Sequence, residues 1–534
     1  MVAAMTATMM DVPLTLDWIA DRAEHYMGHC EIVSRRPDRS LARTTYGEVI
    51  GRARRLARGL VAAGIERGDR VATLMWNNAE HLEAYFGIPL AGATIHTLNL
   101  RLHPDEIAYI ANDAKDRVLI VDDVLVPLYQ KVVASGATFE RVLVVGAVPD
   151  GMQSYAAFVD AAPSTGALPA LAEQDELGTC YTSGTTGKPK GVVYSHRSTM
   201  LHTIVAGLPD CLGLASADTL LPVVPMFHVN AWGLPYIAAM VGAKLVMPGP
   251  YLDPPSLLEL MVWERVTIAA GVPTIWLGIR DLLDRQRYDL VPGLRMIVGG
   301  SAAPEQLIRD FDRHGLLLIH AWGMTETSPI GTCSRLIPAL ATADEATRYK
   351  QRAKQGRPTP LVDVRIRNEA GDVPADDATS GEVLIRGPWI ASSYAGGHTP
   401  ERWTSDGYFR TGDVARVDKH GYMQLTDRIA DLIKSGGEWI ASQELENALM
   451  GHPAVREAAV IGVPHPKWGE RPLAAIVLKE GQSATAEQLR DFLAPKFAKF
   501  WLPDAFVFID AIPRTSAGKF KKSELRDKYR EWAW

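Results

Sequence analysis

The chain has 534 residues, of which 47% are hydrophobic and 22% charged, and its formal net charge is 56 − 62 = −6. That length exceeds a single hydrophobic core, so two or more domains are expected. The ordinary composition and mild acidity argue against fibrous or disordered classes and against a nucleic-acid partner.

In chain order, Tyr46, Val49, Ile50, Ala53, Leu56, Ala57, Leu60 and Val61 recur at helical spacing. Thr45 with Glu48 forms a capping box before that helix and Gly64 can stop it. Val71–Met75 reads as a buried strand, His81–Ala91 as a helix, and Ala93–Leu98, Val118–Val121 and Val142–Val145 as further strands. Residues 146–176, rich in Ala, Pro and Gly, read as a surface excursion. Alternation continues with a helix at Ser256–Trp263, a strand at Thr267–Ala270, a helix at Pro273–Leu283 and strands at Met296–Val298 and Leu316–Ile319. Such alternation predicts α/β architecture with parallel-type sheets covered on both faces. After about residue 355 the segments Val362–Arg367 and Gly381–Ile385 turn β-rich. An α+β unit follows, with strands at Ala458–Val463 and Ala474–Val477 and helices at Ala486–Leu493 and Ser523–Glu531. The expected division is 1–427 for a large N-terminal domain of βαβ subdomains with a small β-rich subdomain, 428–432 for a hinge, and 433–534 for a smaller mobile C-terminal domain.

The four cysteines (Cys30, Cys180, Cys211, Cys333) form no C-x-x-C pair, which points to a reducing compartment rather than a disulfide framework or zinc site. No run reaches the roughly 18 apolar residues of a membrane-spanning helix, and the N-terminus lacks the basic start of a signal peptide. A cytoplasmic protein without a transmembrane segment is expected.

The densest chemistry lies in Thr182-Ser183-Gly184-Thr185-Thr186-Gly187-Lys188-Pro189-Lys190-Gly191, ahead of the apolar strand Val192–Tyr194. Hydroxyls, glycine amides and two lysines suit phosphate oxygens. It is not a Walker A loop, because Thr182 and Pro189 stand where that motif needs Gly and Ser or Thr. The stretch resembles the phosphate-binding signature of the adenylate-forming enzymes, which include acyl-CoA synthetases, peptide-synthetase adenylation domains and firefly luciferase.

Further motifs appear in that family's order. His320-Ala321-Trp322-Gly323-Met324-Thr325-Glu326 resembles Y-G-x-T-E with Trp in place of Tyr. The match implies that Trp322 flanks adenine, Thr325 meets the α-phosphate, and Glu326, with Thr182, holds Mg2+. Gly299-Gly300-Ser301-Ala302-Ala303-Pro304 is the loop that in relatives lies against the adenine and the acyl pocket, with Pro304 expected in the first helical turn. Tyr408-Phe409-Arg410-Thr411-Gly412-Asp413 resembles Y-x-x-T-G-D, which makes Asp413 the ribose acceptor and implies a ribose or phosphate role for Arg428. The hinge position falls on Ala430, where many relatives carry a charged residue. By the same resemblance Lys434-Ser435-Gly436-Gly437-Glu438-Trp439 swings in to line the CoA channel. Lys519, in Pro513-Arg514-Thr515-Ser516-Ala517-Gly518-Lys519, reaches the α-phosphate and the substrate carboxylate.

Pro225-Met226-Phe227-His228-Val229-Asn230-Ala231-Trp232-Gly233 matches the family's aromatic motif, and the four-residue spacing of His228 and Trp232 suits one helical face. In the fatty acyl-CoA synthetase branch this Trp gates the acyl tunnel; relatives acting on 3-methylmercaptopropionate share the string. Thr203, Gly271, Val272, Pro273, Gly300 and Met324 complete the acyl candidates. The resemblance implies an AMP-forming acyl-CoA synthetase using Mg2+, ATP and CoA on a medium- or long-chain fatty acid, with a homodimeric assembly. Short thioether acids, aryl or cinnamic acids, a carrier-protein acceptor, a luciferase-like oxygenase and a catalytically silent nucleotide sensor stay open on the sequence alone.

Overall fold

The computed structural model describes residues 8–182, 188–436, 438–514 and 520–534. Among these, four sheets organise the chain. A nine-stranded sheet runs Arg357–Pro358, Ile330–Cys333, Leu317–Gly323, Arg295–Val298, Ile268–Gly271, Thr219–Pro222, Lys244–Met247, Glu31–Arg35 and Leu41–Thr45. Its central pairs are parallel and its outer pairs antiparallel. A seven-stranded sheet orders Gln153–Ser154, Arg141–Val145, Asp116–Asp122, Arg70–Leu74, Thr94–Thr97, Glu176–Tyr181 and Gly191–Ser195, antiparallel only at its last pair.

The helices between these sheets belong to both. The helix Ala79–Leu90 buries every residue except Glu80, the pattern of a helix enclosed on all sides. Its Phe86 and Ile88 share one apolar cluster with Ile32 and Leu245 of the nine-stranded sheet and Val71 and Ile120 of the seven-stranded sheet. The predicted capping box holds: Thr45 caps the helix Tyr46–Ala62 and Glu48 returns the bond to the Thr45 backbone. The 146–176 excursion is more structured than expected. It contains the strand Gln153–Ser154 and the helix Tyr155–Ala161, anchored by buried Tyr155 and Val159.

The β-rich segment after residue 355 is a five-stranded antiparallel sheet, Gly371–Asp372, Asp363–Asn368, Gly381–Arg386, Phe409–Val417 and Met423–Arg428. The C-terminal part builds its own sheet around the long hairpin Val455–His465 and Gly469–Leu478; along the free edge of Gly469–Leu478, Ala505–Phe508 adds in parallel and a short hairpin, Ile433–Ser435 and Glu438–Ile440, joins at Gly469. Its two apolar clusters, one centred on Leu445, Leu449, Val460 and Ile476 and one on Ile461, Leu473 and Leu525, are separate from those of the preceding residues. Among the described residues no helix is long and apolar enough to cross a membrane.

Phe311 lies wholly buried on the helix Glu305–Arg313, against the nine-stranded sheet. Phe311→Ala should cost about 3–5 kcal/mol, read as a lower denaturation midpoint for the N-terminal part by urea titration.

Candidate active site

A cavity of about 620 Å³ opens where the nine-stranded sheet, the five-stranded sheet and the C-terminal unit meet. Its walls are supplied by strands and by the turns between regular elements. The strand Leu317–Gly323 carries Ala321, Trp322 and Gly323 to the rim; the sequence reading ended this strand at Ile319, and in the structure it runs on through the motif. Gly323 is obligatory: a Cβ there would sit 1.6 Å from the Pro329 carbonyl oxygen. Thr411, Gly412 and Asp413 lie inside the strand Phe409–Val417 rather than in a turn, and Gly412 takes φ 76°, outside ordinary strand geometry. Pro304 precedes the helix Glu305–Arg313 as its cap residue instead of occupying its first turn.

Two polar clusters are fixed in the walls. The Trp322 indole N–H donates to Asp413 Oδ2 at 3.0 Å, and Arg428 Nε stands 3.3 Å from Asp413 Oδ1. Asp413 and Arg428 face each other across neighbouring strands, so strand register sets this pair. Glu326 is buried and its Oε1 accepts from the Tyr394 hydroxyl. Burial and the adjacent Glu326 carboxylate push the Tyr394 phenol up, so it keeps its proton at neutral pH. The Lys190 ammonium sits 5.2 Å from the Tyr394 ring centroid, and Tyr194 donates to the Thr325 carbonyl at 2.8 Å. Thr182, Lys188, Met324 and Thr325 complete this side.

The apolar lining comes from Leu212, Val229, Trp232, Pro329 and Ile330, beside Gly299 and Gly300. A Cβ on Gly299 would lie 3.1 Å from the Trp232 ring, so the bare backbone is what admits the indole. His228 and Trp232 both line the cavity, but not through a shared helical face. Val229, Asn230, Ala231 and Trp232 have φ of 44°, 50°, 47° and 60°, followed by Gly233 at 73°: a left-handed turn. L-residues pay about 1–2 kcal/mol each in this conformation. The surroundings hold it. Asn230 Oδ1 accepts from Cys180 Sγ at 3.3 Å, and His202 packs so close to Gly233 that a Cβ would meet its ring at 2.8 Å. Gly233 then starts the helix Leu234–Val241.

Several expected residues stand elsewhere. Among the described residues lining the cavity, Ser301, Ala302, Ala303, Thr203, Gly271, Val272, Pro273 and His320 do not appear. Thr203 is buried and donates to the Thr199 carbonyl. Gly271 packs against Trp276, and the ring of His320 turns to the Ala353 carbonyl. Val272 lines a second, small cavity of about 20 Å³ with Asn99, Arg101 and Phe227, and His228 lines both. Lys434, Ser435, Gly436, Glu438 and Trp439 form a hairpin outside the main cavity, with Trp439 exposed. Ala430 lines the cavity, as do Phe520, Lys521, Lys522, Ser523 and Arg526. Ser183, Gly184, Thr185, Thr186, Gly187, Gly437 and Lys519 lie outside the described residues.

Tyr394, His202, Arg101 and Asn99 were not anticipated. Tyr394 stands in an Ala-Ser-Ser-Tyr-Ala-Gly-Gly stretch with no periodicity, and only the fold brings it to Glu326. Among the described residues no group of three or more His, Cys, Asp or Glu could hold a metal ion alone. One buried carboxylate near hydroxyls and lysines fits Mg2+ carried mainly by substrate phosphates.

This is the site of a nucleotide-using α/β enzyme, its acceptor carboxylates and phosphate-type cations arranged around one cleft. The chain belongs to the AMP-binding enzyme family, whose model matches residues 19–395, with the AMP-binding enzyme C-terminal domain matching 444–519. It is 49% identical over 534 residues to a long-chain-fatty-acid–CoA ligase of Thermus thermophilus, covering 99% of this chain and 98% of that one. It is 42% identical over 536 residues to a 3-methylmercaptopropionyl-CoA ligase of Ruegeria pomeroyi, covering 99% of each. The crystal structure of an anthranilate CoA ligase in complex with anthranoyl-AMP superposes with a TM-score of 0.87 at 27% identity, over 98% of this chain and 99% of that one. The chain is accordingly an acid–thiol ligase of the AMP-forming type, with ATP and CoA as co-substrates.

Burial pushes His202 down to about 3 and His320 down to about 4. Both imidazoles stay neutral in the folded chain at pH 5, whereas an unfolded histidine takes up a proton below about 6.5. Their contribution is therefore complete above about pH 6.5 and is lost as pH falls towards 4. Thermal midpoints at pH 7 and pH 5 should differ less in His320→Asn than in the parent.

Proposed function

We propose that this enzyme is an AMP-forming acyl-CoA synthetase that activates a medium- or long-chain fatty acid. The observation that carries the reading is the chemical division of one cavity. Lys188, Lys190, Glu326, Asp413 and Arg428 line it with charges suited to a nucleotide, while Leu212, Val229, Trp232 and Ile330 offer an apolar wall without a carboxylate. An amino-acid substrate would need an acidic partner for its ammonium; a fatty acid needs none.

In the first step a carboxylate oxygen of the acid attacks the α-phosphorus of ATP, the α–β phosphoanhydride bond breaks, and pyrophosphate leaves. Asp413, held by the Trp322 indole and Arg428, accepts the ribose hydroxyls. The face of Trp322 bears on adenine, flanked by Gly300, Ala321 and Gly323. Thr325 and the motif residues Thr182 to Lys188 bind phosphate oxygens, and Lys519 bridges the α-phosphate and the carboxylate. Glu326 and Thr182 would hold Mg2+ together with the triphosphate, and the ion would supply charge neutralisation for the leaving pyrophosphate. Tyr394 orients Glu326 through its hydroxyl. Positioning and charge neutralisation account for catalysis of this kind. His228, where the two cavities adjoin, lies near the acyl carboxylate.

In the second step the unit 433–534 turns about Ala430, Lys519 withdraws, and the Lys434–Trp439 hairpin lines the CoA channel. The CoA thiolate attacks the adenylate carbonyl, the thioester forms, and AMP leaves. The uncharged hinge leaves this rotation without a hinge-residue ion pair. The four cysteines, all free thiols, agree with a cytoplasmic enzyme, and the family resemblance implies a homodimer.

Trp232 against Gly299 also narrows the apolar wall, which favours the short thioether acid used by the Ruegeria relative as second reading. Pyrophosphate release with Mg-ATP and CoA, measured from propionate and 3-methylmercaptopropionate through octanoate to palmitate, with benzoate and cinnamate, separates them. A maximum at octanoate or longer is expected; a maximum among the short acids assigns the second reading. Lys519→Ala should abolish ATP–pyrophosphate exchange, and unchanged exchange overturns the mechanism. Trp322→Phe removes a hydrogen bond to a carboxylate, typically about 1.5 kcal/mol. It should raise KM for ATP roughly tenfold, with kcat little affected.

A further inference from the structure

The C-terminal unit meets the rest of the chain through few polar contacts, and one is buried. Asp427 is the penultimate residue of the strand Met423–Arg428 at the edge of the five-stranded sheet, three residues before Ala430. Its Oδ2 accepts from both the backbone N–H and the hydroxyl of Ser442, the latter at 2.7 Å. Ser442 opens the helix Ser442–Met450, where backbone N–H groups lack intrahelical partners. A carboxylate there satisfies one of them and complements the helix dipole. The cap of this helix thus comes from across the hinge.

The chain of contacts continues to the cavity. Lys522 Nζ donates to Ser442 Oγ at 2.7 Å and pairs with Glu446 Oε1 at 2.7 Å; Glu446 in turn accepts from Val460 N–H. Lys522 is buried, so it is not the solvated lysine its neighbourhood suggests, and it stands on the cavity wall three positions after Lys519. Turning the unit about Ala430 keeps Lys522, Ser442 and Glu446 together, because all three lie beyond the hinge. The polar contacts it must break are those that Ser442 donates to Asp427, together with the Arg416–Glu444 ion pair at 3.0 Å and the exposed Arg285–Glu480 pair at 3.4 Å.

We propose that the Asp427–Ser442–Lys522 chain is a positioning latch. It holds the C-terminal unit with Phe520 to Arg526 against the cavity, and so favours adenylate formation over the thioester step. The proposal rests on the two-step reading above, with Asp427 and Ser442 acting through the segment they hold and not on substrate.

The test is Ser442→Ala and Asp427→Asn in the full-length enzyme. Spin labels on Glu66→Cys and Glu487→Cys, both exposed and one in each unit, report orientation without any substrate. In both variants the distance distribution should shift or broaden relative to the parent. ATP–pyrophosphate exchange should fall about tenfold, the order of effect of losing a helix cap. Thioester formation from a synthetic acyl-adenylate should stay within about twofold. Taking the ratio of the two half-reactions in one sample cancels any loss of folded protein. An unchanged distance distribution, or equal losses in both half-reactions, overturns the latch. A parent enzyme that exchanges pyrophosphate with no acid overturns the functional reading instead, and the distances still decide the latch.

Discussion

The hydrogen bond from the Trp322 indole to Asp413 crosses the seam between two independently built sheets. Trp322 belongs to a strand of the nine-stranded sheet and Asp413 to one of the five-stranded sheet, and neither position means anything to a ligand unless the sheets are held at a fixed distance. The bond is buried at both ends, so it depends little on solvent and strongly on geometry. Arg428 then completes the arrangement through strand register alone. The cavity follows from this seam: its polar lining comes from strands of both sheets and the turns that continue them, and its apolar lining from the turn and loops packed beneath.

Much of this was legible in the sequence because the residues involved are local. The capping box at Thr45 and Glu48, the strand–helix alternation and the motif residues Trp322, Glu326, Asp413 and Arg428 are each specified within a few positions, and the cavity gathers those motif residues. Two features differ from that reading. The strand Leu317–Gly323 was cut short because its last residues look like a loop to a hydropathy reading, although their backbone pairs with Ile330–Cys333. His320 is expected at the site from the motif match and Thr203 as a pocket candidate; in the structure their side chains bond to the Ala353 and Thr199 carbonyls, outside the cavity lining.

Long-range meetings had no local signal at all. Tyr394 reaches Glu326 across 68 residues of chain and Lys522 reaches Ser442 across 80. A lysine flanked by Lys521 and Ser523 carries every mark of a solvent-facing residue; burial between Glu446 and Ser442 is a property of the hairpin and helices around it. The left-handed turn was likewise hidden, since Val229, Ala231 and Trp232 are residues that disfavour positive φ.

That turn has a consequence for how the enzyme can diversify. Four successive non-glycine residues in a costly conformation store several kcal/mol, at about 1–2 kcal/mol each, against the contacts of Asn230, Cys180, His202 and Gly233. A library that randomises Val229 to Trp232 would mostly relax the backbone, and its members would lose the wall before they changed its preference. Residues reaching the same lining from ordinary backbone, such as Leu212 and Ile330, are where new acyl specificities can accumulate one substitution at a time.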